Sequence, residues 1–236
     1  MIILLAAAVL PAVFLLSRVN KMDTIEKEPW SILRKLLIFG ALSGIPAALV
    51  ESLLTGVLLG ALTEGTVLYN LVAGFIVAAL VEESFKFFFL YKFTFKSPDF
   101  NYRFDGVVYA VFASMGFAIL ENILYVFQGG ISVAVTRALL ALPLHAACGV
   151  YMGIAYGQQK VQSLYKPATF GSVAAACLPV PILIHGFYDF CAFMQTELFV
   201  IIFIVFVIAV FILTLRQLKK ASREDRPVNE VTIDAQ

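Results

Sequence analysis

The sequence predicts an all-α protein that crosses a membrane about seven times. Of its 236 residues 61% are hydrophobic and only 14% charged. Soluble domains carry about 45–50% and about 25%. The mean hydropathy of +0.92 agrees. Apolar stretches of about twenty residues, the length that a ~30 Å hydrocarbon core demands of a helix, recur along the whole chain. The connections between them alternate between basic and non-basic. Open sheets would leave unpaired backbone groups in lipid, so strands are not expected.

The stretches fall at approximately 1–17, 36–60, 66–91, 106–128, 131–157, 168–193 and 197–215. In the N-terminal run MIILLAAAVLPAVFLLSRV the positive charge follows the apolar segment, at Arg18 and Lys21. A cleaved signal would carry that charge in front, so the run reads as a retained first helix. The connections near Glu64, Gly129 and Glu197 are short and uncharged or acidic. Those from Arg18 to Lys35, Lys92 to Arg103, Lys160 to Lys166 and Arg216 to Arg226 hold all but two of the 17 lysines and arginines. Basic connections stay on the cytoplasmic side. This predicts an N-terminus outside, a C-terminus in the cytoplasm and an odd number of spans.

Residues 1–218 read as a single transmembrane domain and 219–236 as a polar, frayed cytoplasmic tail near anionic headgroups. Small residues around Gly40–Gly44 and Gly149–Gly157 predict close helix approach. Pro46, Pro143, Pro179 and Pro181 predict kinks. Asp105 is expected to cap the fourth span. A net charge of +1 gives no reason to expect nucleic acid. Cys148, Cys177 and Cys191 lie in apolar runs without metal-type spacing and read as packing residues.

The functional signal is the set of ionisable residues inside these runs. Each costs about 2.5–3.5 kcal/mol on insertion scales, so their retention points to a site. Glu82, Glu83 and Lys86 lie in LVEESFKFFF, Glu121 and Asn122 in FAILENILY, and Arg137 and His145 around LPLHAACG. His185 and Asp189 lie in LIHGFYDF, and Glu51 in the second stretch. Both histidines of the chain are in predicted spans. Glu82 and Lys86 are four apart and share a helix face, as do His185 and Asp189. Glu83 points about 100° away from Glu82, toward another neighbour. No GxSxG motif is present. Water activated by a carboxylate–histidine pair fits the inventory, with a second histidine and a polar partner on the oxyanion. The same residues suit zinc, with Glu82, His145 and His185 as ligands and an open fourth position. HExxH is absent, and residue types alone leave both mechanisms open.

Glu82-Glu83 with Lys86, FDGVVYAVFASMGFAILENILY, RALLALPLHA and HGFYDF together resemble the PrsW family of bacterial membrane proteases. More loosely they are similar to the superfamily of CAAX-prenyl endopeptidases and bacteriocin-processing proteins. The resemblance implies a multi-pass protein of the bacterial cell membrane and a peptide hydrolase, with the glutamic type favoured over the metallo type, no cofactor expected and zinc left open, since the family is also classed among metallopeptidases. It implies that Glu82, Glu83, His145, His185 and Asp189 are catalytic. Glu82 and His145 would activate water, and His185 and Asp189 would hold the oxyanion. Glu121-Asn122 is typical of the PrsW branch, and with Lys86 it forms the supporting polar set. The superfamily often has arginine at EExxxR, where this chain has Lys86 one residue earlier. The implied partners are membrane lipid and a single-pass substrate such as an anti-sigma factor, cut at site one. A non-catalytic scaffold and a proton-coupled transporter are the competing classes, and no inverted repeat supports the latter.

Overall fold

The computed structural model describes residues 1–230, so residues 231–236 of the expected tail lie outside it. The long apolar runs are helical: α1 (Ile2–Met22), α2 (Trp30–Val57), α3 (Val67–Leu71), a π-helical segment (Val72–Leu80) and α4 (Val81–Thr94). There follow α5 (Asp105–Leu139), α6 (Ala141–Gln162), α7 (Phe170–Cys177), α8 (Pro179–Met194) and α9 (Glu197–Arg223). The isolated bridge Tyr102–Pro227 is the one β-type contact among the described residues. The chain is an all-α, polytopic membrane protein.

Four continuous stretches, at Ile2–Met22, Trp30–Ala61, Asp105–Gln162 and Glu197–Arg223, are long and apolar enough to cross a bilayer. The bent pair α7–α8, broken by 46° where Pro179 interrupts the helix, makes another. The Asp105–Gln162 stretch holds two passes. Gly130 breaks it with φ +73°, a left-handed conformation open to glycine, and the chain reverses there. Beyond the turn α6 runs antiparallel to α5, so tightly that a Cβ on Gly153 would lie 2.4 Å from the Val107 Cα. The predicted break at Gly129–Gly130 and the small-residue seam are thus both present. Leu140, right-handed but stretched to φ −118°, separates α5 from α6 ahead of Pro143. With the α3–π–α4 rod the bundle has the seven helical units that the sequence predicts.

The core surrounds the first half of α5, where every residue from Asp105 to Ala118 is buried. It packs against α1, α2, α4 and α6. The outside is apolar: Leu53 of α2 and Ile201 and Val205 of α9 are among the many exposed aliphatic side chains. A solvent of lipid explains that inversion.

The basic connections gather at one end. Lys160 Nζ donates to the Phe95 carbonyl at 2.7 Å, and Asn101 Nδ2 to Glu26 at 3.1 Å. The segment after α9 is not frayed through residue 228. Phe104 N donates to Asp225 Oδ1 at 2.8 Å, and Val228 N to the Asn101 carbonyl at 2.7 Å. Asp105 does not cap α5. The helix begins at Asp105 itself, so the carboxylate reaches back and accepts from the Asn101 and Tyr102 amides at 3.0 and 2.7 Å.

Between α1 and α2 two acids are buried at this end, Asp23 and Glu28, the latter accepting from the Tyr109 hydroxyl. Burial pushes the Asp23 carboxyl from 3.8 up to about 6, and raises Glu28 as well. The folded protein therefore holds protons that the unfolded chain releases. Stability from these groups is full below the ordinary carboxylate range and is lost as pH rises through the raised values. Detergent-solubilised protein should lose at most about 1 kcal/mol per pH unit per group between pH 4.5 and 6.5. Thermal unfolding across that range measures it. Glu28→Gln, which keeps an acceptor for Tyr109, should flatten the slope, and a wild-type profile that rises with pH would contradict the assignment.

Candidate active site

The site forms where α4, α5, α6 and α8 meet. The π segment packs along α8, and this pairing carries the glutamates at the start of α4 to His185. Wide turns of this kind are frequent at functional sites. Glu82, Glu83, Lys86, His145 and His185 are all buried. One ligand atom from each of Glu82, Glu83, His145 and His185 lies within 4.8 Å of all the others.

Lys86 is at the centre. Its ammonium donates to Glu83 Oε1 at 2.7 Å, to Glu82 Oε2 at 3.0 Å and to His145 Nδ1 at 3.1 Å. The Phe117 ring covers it at 4.2 Å. The expected pairing of Glu82 with Lys86 is present. Glu83 shares the same lysine and also turns to another helix, with Oε1 2.9 Å from His185 Nδ1.

The hydrogen bonds assign the histidine protons. An ammonium only donates, so His145 Nδ1 accepts and the proton sits on Nε2. Nε2 then donates to Glu121 Oε2 at 3.0 Å. His185 places a proton on Nδ1 for Glu83, and its Nε2 faces Asp189 Oδ2 at 3.4 Å and Glu82 Oε2 at 3.9 Å. The two rings stand edge to face, 5.3 Å apart. Ser114 Oγ donates to the His145 carbonyl at 2.7 Å and fixes α6 against α5.

All the residues expected in the site are brought together, with Lys86 at its centre and Glu121 and Asn122 in an outer layer. Arg137 pairs with Glu121 at 2.7 Å and donates through Nε to Asn122 Oδ1 at 2.9 Å. Asn122 Nδ2 donates to the Ala8 carbonyl of α1 at 2.7 Å. Arg137 has no assigned role in the sequence reading. The signal was the turn at Gly129–Gly130, because residues equidistant from it face each other across the hairpin. Cys148 directs its thiol to the Pro181 carbonyl at 3.7 Å, a packing contact.

Beside the cluster lies a cavity of about 910 Å³. Glu82, Glu121, His145, His185 and Asp189 line it, with Glu51, Tyr125 and Tyr188. Its rim includes Leu49 and Leu124, which are 64% and 55% exposed on the apolar outer surface. The hollow thus adjoins the lipid side between α2 and α5.

The donor set also suits a divalent metal. Each imidazole is fixed through one nitrogen by a carboxylate, His145 by Glu121 and His185 by Glu83, as zinc-binding histidines usually are. Their other nitrogens turn toward Glu82 and Lys86. The Lys86 ammonium, however, is bonded to three of the four groups that would bind the ion.

The chain matches the PrsW family intramembrane metalloprotease family over residues 28–215. It is 34% identical to Protease PrsW of Geobacillus kaustophilus over 95% of this chain and 94% of that one. It is 30% identical to Protease PrsW of Halalkalibacterium halodurans over 94% and 99%, and 30% identical to that of Bacillus subtilis over 80% and 83%. No solved structure matches. A multi-pass membrane protein with this cluster and these relatives, the chain belongs to the PrsW family of intramembrane proteases.

Proposed function

We propose that this chain cleaves a membrane-anchored protein of the anti-sigma-factor type, using water activated at Glu82 with the help of His145. The observation that carries the reading is the Lys86 ammonium held among Glu82, Glu83 and His145, a resident cation at the centre of the donor set. Glu82 takes a proton from water in the cavity, and the hydroxide adds to the scissile carbonyl. As Glu82 loses its charge, Lys86 turns toward Glu83 and His145, which keep it paired. His185 faces carboxylates through both nitrogens and acts here as the doubly protonated ring. Its Nε2 donates to the oxyanion, and Asp189 aligns it. Glu82 then returns its proton to the leaving amine as the C–N bond breaks. Substrate enters from the lipid side, past Leu49 and Leu124. The basic connections face the cytoplasm, which sets the cavity toward the outer half of the membrane.

The carboxylate-fixed histidines favour a second reading. Zinc would be held by Glu82, His145 and His185 and would act as a Lewis acid on bound water. Lys86 would then have to leave its three partners.

Glu82→Gln should lower cleavage of a single-pass substrate in proteoliposomes by about 10²–10⁴-fold, the worth of a general base, with the thermal transition retained. Undiminished cleavage would remove Glu82 from its role. Purified wild-type protein should contain far less than one zinc per chain and should cleave equally well in chelator. Stoichiometric zinc, with activity lost to chelator and restored by the metal, would establish the second reading instead.

A further inference from the structure

Glu51 has no part in that mechanism. It lies on α2, six residues or about 9 Å short of the helix end at Val57. It lines the catalytic cavity, and its Oε1 is buried without a hydrogen-bond partner. Every other acid on the cavity wall faces a cationic or imidazole group: Glu82 faces Lys86, Glu121 faces Arg137 and His145, and Asp189 faces His185. Glu51 forms no ion pair among the described residues.

An unpaired carboxyl in an apolar surrounding is costly, and such a group persists where something else completes it. The imbalance has a sign. Four carboxylates line the hollow, against the guanidinium of Arg137 and the ammonium of Lys86 behind Glu82. With His145 neutral and His185 protonated on both nitrogens, the four carboxylates still outnumber the three cations, and low dielectric strengthens the cavity's attraction for a further cation. A metal is a poor fit at Glu51, because the groups able to hold one gather at Glu82, Glu83, His145 and His185. A long, flexible basic side chain fits better. It can thread its methylenes along the apolar wall at Leu49 and Ala48 and set its charged end on the acid.

We propose that Glu51 is the recognition group of a substrate subsite that accepts a lysine or arginine side chain near the scissile bond. The assignment rests on the protease reading for its meaning, though not for its test. Glu51 binds and orients, and takes no proton in the hydrolytic step.

The test separates binding from cleavage. Full-length protein carrying Glu82→Gln, to suppress turnover, is placed in nanodiscs with labelled single-pass helical peptides. A single lysine is moved along one series, and norleucine replaces it in the other. At one register the lysine peptide should bind at least tenfold more tightly than its norleucine counterpart. Adding Glu51→Gln should abolish that preference and leave norleucine binding unchanged, Glu51→Asp should retain part of it, and Glu51→Lys should transfer it to a glutamate-bearing peptide. Equal affinity for both series at every register, or a preference that survives Glu51→Gln, would overturn the proposal. Cleavage is scored separately in the chain with Glu82 intact. A glutamate-dependent lysine preference without any cleavage would sustain the subsite and count against the hydrolase.

Discussion

A fully buried ammonium imposes the strongest constraint on this molecule. Lys86 has no exposed surface, and an unpaired charge in such a place costs several kcal/mol. Two glutamates from its own helix and an imidazole from α6 relieve that cost. The electrostatics therefore dictate the packing. If α6 moved away, Lys86 would lose its third partner, and if α8 moved, Glu83 would lose His185. Removing one member of a buried ionic set generally costs about 3–5 kcal/mol, since the remaining charge is left unpaired. Helix assembly and site assembly are consequently one event.

The second layer extends this logic outward. Glu121 receives His145 Nε2 and the Arg137 guanidinium on the same oxygen. Asn122, its sequence neighbour, links Arg137 to the α1 backbone. Two helices that carry none of the expected catalytic residues, α1 and α5, are thereby coupled to the orientation of one imidazole. A histidine held through both nitrogens has little freedom to rotate, and that rigidity is what a preorganised site requires.

Much of this was legible in the sequence, for identifiable reasons. Lipid imposes a length and a polarity on every span, so apolar runs and basic connections mark the helices without reference to packing. The cost of intramembrane charge singles out Glu82, Glu83, Lys86, His145, His185 and Asp189. What stayed hidden depends on relations between helices. The double service of Glu83 to Lys86 and His185 requires the π segment, whose hydrogen-bond pattern leaves no compositional mark in Val72–Leu80. The place of Arg137 depends on how the hairpin closes at Gly130. The capping role expected of Asp105 failed by a single residue of helix start, a margin that local sequence does not resolve.

The same ammonium bears on the choice between the two hydrolytic chemistries. A zinc ion and a protonated lysine compete for the same lone pairs, on Glu82 and on the Nδ1 of His145. Two positive charges within contact distance of one another repel strongly in low dielectric. Either the metal enters and Lys86 swings out against Phe117, stripped of its carboxylates, or Lys86 stays and the carboxylates act as bases. The first course demands a new partner for a cation buried in the middle of the bundle. No carboxylate beyond this cluster is hydrogen-bonded to Lys86 among the described residues. The resident lysine thus occupies the place a metal would take, pairing with two glutamates side by side inside the bundle. On that balance of charges the glutamate-based route asks for the smaller rearrangement.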